Sequence, residues 1–180
     1  PYLSASARAQ LVDYQEGGEL PKVENAFSEE TRLTALTGDY LSVELSASSR
    51  LTMKLLATSS GGQLLCMIRT YSGPLPESQI AFYDTSWQEV RETLLPKLTA
   101  ESFLQPTDST DDAEWQEALR LTDTFLTSYE LSAEDNFLKA TCSPILLSGE
   151  QQTLVDKLLR IREYEWNGER FAETDTARNK

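Results

Sequence analysis

Between Tyr40 and Tyr83 the chain keeps a two-residue apolar rhythm that suits extended strands and little else. Leu41, Val43 and Leu45 alternate with polar neighbours, and Leu51, Met53, Leu55 and Ala57 do the same. Successive side chains on a strand point to opposite faces, so each set makes one apolar face. Leu64-Leu65-Cys66-Met67-Ile68 is apolar at every position, as in a strand covered on both sides. Ser59-Ser60-Gly61-Gly62 and Gly73-Pro74-Leu75-Pro76 supply turns, and Gln79-Ile80-Ala81-Phe82-Tyr83 closes the series. A four-strand antiparallel meander is the simplest arrangement.

Helical signals flank this region. Leu3, Ala7, Leu11 and Tyr14 recur at helical spacing, with Gly17-Gly18 as a stop. Residues 20–30 read as polar and irregular. Trp87, Val90 and Leu94 suit a helix that Pro96 would end. A helix is expected over 112–124, with Trp115, Ala118, Leu119 and Thr122 on one face and an Asp111–Glu114 capping box. Strands over 125–131 and 137–142 follow, then a helix capped by Ser148 and Gln151 that carries Leu154, Val155 and Leu158. The tail over 175–180 reads as frayed.

The end of the chain carries the sharpest local expectation. Asn167-Gly168 tolerates the two positive φ angles of a type I′ turn, so residues 164–171 are expected to form a two-residue hairpin. That register sets Trp166 opposite Glu169, Glu165 opposite Arg170 and Tyr164 opposite Phe171. Tyr164, Trp166 and Phe171 then share a face, expected to pack on the helix of Leu154 and Leu158.

These elements make an α+β fold, an antiparallel sheet with helices on one face, in a single compact domain over 1–180. Asp39-Tyr-Leu-Ser…Glu44-Leu-Ser-Ala47 parallels Thr124-Phe-Leu-Thr…Glu130-Leu-Ser-Ala133 once one extra residue is allowed. The match raises the option of two tandem helix-plus-four-strand units, about 1–98 and 108–175.

Several function classes are excluded or disfavoured. Asp and Glu number 29 against 16 Lys and Arg, a net charge of −13, which opposes nucleic-acid phosphates and anionic lipid. Histidine is absent, which removes Ser-His and Cys-His nucleophiles, His-bearing zinc and copper sites and His-held haem. No run approaches the roughly 20 apolar residues of a membrane-spanning helix. Cys66 and Cys142 are too few for a disulfide scaffold and lie in apolar runs, so two buried free thiols are expected. The chain opens at Pro1 rather than Met, which fits removal of a leader.

No motif for chemistry survives inspection. Asp108, Asp111, Asp112 and Glu114 could bind calcium, but Ala113 and Leu119 stand where such a loop needs Gly and Glu, and helix capping explains the cluster better. Acidic residues are numerous enough that neighbouring carboxylates, the requirement for glycoside hydrolysis, arise by chance. Gly-x-Ser-x-Gly is absent, and Lys54 and Lys139 read as exposed strand lysines rather than partners of a serine. Gly61-Gly62 lacks the spacing of a phosphate cradle, so no cofactor and no metal is expected. Tyr71, Leu75, Tyr83 and Trp87 lie near one another in sequence at the end of the meander and form the candidate partner surface.

The runs Leu33-Thr-Ala-Leu-Thr-Gly-Asp-Tyr-Leu41, Cys66-Met-Ile-Arg-Thr70 and Phe82-Tyr-Asp-Thr-Ser-Trp87 carry a resemblance, as do Pro1-Tyr-Leu-Ser4 and Leu51-Thr-Met-Lys-Leu55. Across nearly its whole length the chain resembles a domain-of-unknown-function family of secreted Bacteroidales proteins. The resemblance implies export behind a signal peptide, to the periplasm or cell surface, and no activity, cofactor or catalytic residue. It also implies a cysteine near Ser72 in family members, and this chain has none there. The two-unit layout is similar to that of β-lactamase inhibitor proteins, which bind partners on a concave sheet, but no residue motif carries that function over. The expectation is a non-enzymatic extracytoplasmic binding module for a protein or glycan partner. A carboxylate-based hydrolase of carbohydrate and a structural envelope component are the alternatives.

Overall fold

The computed structural model describes residues 2–13 and 21–174. The chain is α+β. It runs α1 (Ala5–Asp13), β1 (Lys22–Glu24), β2 (Glu30–Leu36), β3 (Tyr40–Ser46), β4 (Ser49–Ala57), β5 (Gln63–Ser72) and β6 (Pro76–Tyr83). Then come α2 (Ala100–Phe103), α3 (Asp112–Leu121), β7 (Phe125–Leu131), β8 (Phe137–Pro144), α4 (Gly149–Leu158), β9 (Arg162–Trp166) and β10 (Phe171–Glu173). Strands β1 to β6 form a six-stranded sheet in sequence order, and β10-β9-β8-β7 form a four-stranded sheet. All pairings are antiparallel. Among the described residues no helix is long and apolar enough to cross a membrane.

Register decides what each face of the first sheet meets. Leu41 pairs with Met53, which pairs with Met67, which pairs with Ala81. Directly paired residues share a face, and these line the outer one. One step along, Tyr40, Lys54, Cys66 and Phe82 align on the inner face. That inner face meets the second sheet. Leu56, Cys66, Ile68 and Phe82 are buried against Leu131, Leu138, Ala140, Cys142, Tyr164, Trp166 and Phe171, and this is the main core. At one end of the outer face α1 lays Ala7 and Leu11 on Leu33, Val43 and Leu45. Burial at about 25 cal/mol per Å² of apolar surface makes these two clusters the main source of stability.

The sheets are joined on two sides. The Tyr129 amide of β7 donates to Ser78 Oγ of β6 at 3.0 Å. Opposite, Trp166 Nε1 donates to the Ala57 carbonyl at 2.6 Å, and the Ser59 amide donates to the Gly168 carbonyl at 2.9 Å. Phe103 of α2 enters the main core with its ring 5.9 Å from that of Phe125. Leu104, Ala118 and Leu158 tie α3 and α4 together below it. Both expected capping boxes form, Asp111 with Glu114 on α3 and Ser148 with Gln151 on α4.

The structure departs from the sequence reading in several places. Residues 20–30 are not simply irregular: Lys22–Glu24 is a strand, and Glu30–Leu36 pairs with β3, so the sheet has two strands beyond the expected meander. The turn between them looks polar because a buried asparagine builds it. Asn25 Oδ1 accepts from the Phe27 and Glu29 amides, and its Nδ2 donates to the Leu45 carbonyl at 3.0 Å. The expected helix at Trp87 is absent. Val90 instead donates to the Phe82 carbonyl, Leu94 is buried and Pro96 follows without a helical turn. Tyr14 and Gly17-Gly18 lie outside the described residues, as does the tail over 175–180. The segments of the internal match each open a hairpin, β3–β4 and β7–β8.

The last hairpin has a different register from the one expected. Trp166 pairs with Phe171, Glu165 with Ala172 and Tyr164 with Glu173, so the loop holds four residues rather than two. Only Gly168 has positive φ, +94°, which rules out type I′. The Asn167 side chain is the reason. Its Oδ1 accepts from the Glu169 and Arg170 amides, an Asx turn that competes with the tight hairpin. A shift of two keeps every side chain on its face, so Tyr164, Trp166 and Phe171 are buried together. They pack on the first sheet, however, not on α4. The Phe171 ring lies 5.4 Å from that of Trp166 and 6.1 Å from that of Phe82.

Candidate functional site

Beyond α1 the outer face of the first sheet continues as apolar surface. Leu41, Met53, Leu55 and Leu65 floor a groove of about 380 Å³. The alternation along β3, β4 and β5 produces this floor. It is the same face as the α1 cluster, carried toward the other end of the strands.

Two short loops form the walls. In the β2–β3 turn the Thr37 amide donates to the Tyr40 carbonyl at 2.8 Å, and Thr37 Oγ1 bonds Asp39 Oδ1 at 3.0 Å. After β6, Asp84 Oδ1 accepts from the Ser86 and Gln88 amides at 2.8 and 2.9 Å. This Asx turn carries Trp87, whose φ of +61° lies in the left-handed region that bulky residues avoid. The indole is 63% exposed and tilts against the Tyr83 ring at 6.3 Å. Strain of that kind gathers where a side chain must be presented.

Beneath the groove lies Lys54, on the inner face. It was expected to be an exposed strand lysine, yet it is 1% exposed. Its ammonium reaches Asp39 at 3.2 Å and the Ala133 carbonyl at 3.4 Å, and sits 5.7 Å from the Tyr40 ring centroid. The Thr37 hydroxyl first, and then Lys54, hold the Asp39 carboxyl below the usual carboxylate range. Lys139 is the half-exposed strand lysine expected, paired with Glu163 at 3.5 Å.

The four candidate residues do not form one cluster. Tyr83 and Trp87 meet at the rim of the groove. Tyr71 pairs with Glu77 and Tyr83 pairs with Leu65, so they stand at opposite ends of the β5–β6 hairpin. Six residues of strand separate them, roughly 20 Å. Tyr71 instead lies under the Arg69 guanidinium at 5.1 Å, and Leu75 caps the distant turn, each 38% exposed. Proximity in sequence misled because a hairpin carries its ends apart. The groove floor was missed for another reason. The alternation already placed Met53 and Leu55 on one face, but alternation does not say whether a face is covered.

The remaining candidates have structural placements. Asp111 Oδ1 caps α3 by accepting from the Glu114 amide at 2.8 Å. Among the described residues no group of three or more Cys, Asp or Glu is placed to hold a metal ion. Cys66 and Cys142 are free and buried, as expected, and burial pushes both thiols well above their ordinary values.

No curated protein matches this chain. Among solved structures it is similar to a domain of an uncharacterized protein from Porphyromonas gingivalis W83, with a TM-score of 0.80 at 19% identity. The likeness covers 97% of this chain and 92% of the other, and at that identity it shows the fold. The family model described as a protein of unknown function, DUF3256, matches residues 1–171, and this chain therefore belongs to the DUF3256 family.

Proposed function

We propose that this protein is a non-enzymatic binding module that works outside the cytoplasm and docks a protein partner in the groove over Met53 and Leu55. The observation that carries the reading is the groove itself. Its floor is apolar, and its wall presents an exposed indole from a strained turn. Contiguous exposed apolar surface on a folded domain commonly marks an interaction site, with an aromatic residue as anchor. The resemblance to secreted Bacteroidales proteins supports the extracytoplasmic placement.

The test is capture from the native envelope fraction with wild-type protein and three variants, read by mass spectrometry. Wild type and Tyr71→Ala should capture the same partner. Met53→Glu, which places a charge on the groove floor, and Trp87→Ala should reduce capture at least about ten-fold, the loss of one anchor residue. Equal capture by Met53→Glu overturns the groove as the site. Fractionation that finds the native protein in the cytosol overturns the placement.

A further inference from the structure

A second cleft, about 290 Å³, opens between the two sheets on the side away from the groove. Its origin is a polarity gradient along the inner face. Going down β4 the inward residues are Arg50, Thr52, Lys54 and Leu56. On β5 their partners are Thr70, Ile68, Cys66 and Leu64. The apolar end is covered by the second sheet, and the polar end faces the cleft. Tyr40 and Arg50 line one wall, and Ser128, Tyr129, Glu130 and Thr141 line the other.

The hydroxyls here divide into two groups. Thr34 bonds Ser42 and Thr70 bonds Ser78, each at 2.8 Å, and these brace the wall of the first sheet. Thr52 is only 8% exposed, yet its hydroxyl has no hydrogen-bond partner among the described residues. The hydroxyls of Ser128 and Thr141 and the phenols of Tyr40 and Tyr129 likewise lack one. None of these hydroxyls is fully enclosed, so each opens onto the cleft and its unused hydrogen-bonding capacity is available to a ligand that displaces water there.

We propose that this cleft binds a neutral saccharide. Hydroxyls both donate and accept and rotate to suit, as the hydroxyls of a sugar require. Arg50 on one wall and Glu130 on the other offset each other, so the cleft offers charge-assisted hydrogen bonds without net charge. The Arg50 guanidinium is held loosely, 3.8 Å from Glu44, whose other oxygen is taken by Arg32. Tyr40 and Tyr129, both half-buried, line the cleft and add aromatic surface on which the C–H groups of a pyranose can pack. A phosphate would want clustered cations or amides, and an apolar ligand would leave the hydroxyls unpaired. The cleft lies on the opposite face of β4 and β5 from the groove floor, and Tyr40 lines both.

The test is titration of isotope-labelled protein with maltotriose, cellotriose, chitotriose and mannotriose, with sialyllactose as an acidic control, followed by amide chemical shifts. At least one neutral trisaccharide should saturably shift the amides of Thr52, Ser128 and Thr141 while those of Met53 and Trp87 stay in place. Thr52→Val and Thr141→Val, which keep side-chain shape and lose one hydroxyl, should each weaken that binding roughly three- to ten-fold. Met53→Glu should leave it unchanged. The proposal is overturned if no neutral trisaccharide shifts the cleft at millimolar concentration. It is equally overturned if sialyllactose alone binds, or if both valine variants bind as wild type.

Discussion

Lys54 shows how far residue type can mislead. A lysine on an alternating strand reads as solvated, but the register puts it on the inner face beside Tyr40 and Cys66. Among the described residues, Asp39, the Ala133 carbonyl and the Tyr40 ring make that burial tolerable. Removing one partner of such a pair is not symmetrical. Lys54→Met keeps the volume and leaves a half-exposed carboxylate, so stability should hold or rise by about 1 kcal/mol. Asp39→Ala strands a buried ammonium and should lower stability by about 2–3 kcal/mol. The pH dependence has a defined sign. A carboxyl held below its ordinary value stabilises the fold above its unfolded pKa, about 3.9, and that contribution is lost as pH falls through the depressed value. Asp39→Asn should therefore flatten the acid limb of the stability curve below about pH 4, measured by urea unfolding across the acid range. An unchanged acid limb would remove Asp39 from the account.

At the scale of elements, the β9–β10 hairpin separates what a pattern dictates from what a turn decides. The aromatic alternation placed Tyr164, Trp166 and Phe171 on one face, and they are buried together. The pairing slipped by two because Asn167 closes its own turn and because the loop must reach Ser59. Gly168 is the hinge of that contact. Its φ is +94°, and a Cβ there would come within 2.5 Å of Ser59 Oγ. Gly61 also has positive φ, +83°, but open space around it. Gly168→Ala should therefore lower stability by about 2–3 kcal/mol and Gly61→Ala by about 1 kcal/mol, read as denaturation midpoints. Equal losses would mean that the loop does not bear on the first sheet. The helix caps were readable for a simpler reason. Asp111 with Glu114 and Ser148 with Gln151 act within one turn of chain, so the information is local.

For the whole molecule, the shared core has a thermodynamic consequence. The inner faces of the two sheets bury one shared core, so neither sheet should persist alone. Far-ultraviolet circular dichroism, tryptophan fluorescence and thiol reactivity should give one coincident transition. Cys66 and Cys142 should be unreactive before it and both reactive after it. Separate transitions, or an oxidised pair, would contradict that account. The strands β3 to β8, the helices α3 and α4 and the two buried thiols were legible from sequence, because period and capping are properties of neighbouring residues. β1 and β2 were not, since Asn25 and Thr31 are polar residues whose partners lie on β3. The candidate sites divide the same way. Alternation determined that Met53 and Leu55 share one face and that Thr52 and Lys54 share the other. It could not determine that α1 covers only one end of the outer face, or that the second sheet covers only the apolar end of the inner one. Which part of a face is left open depends on contacts between residues distant in sequence, and only the tertiary structure decided it.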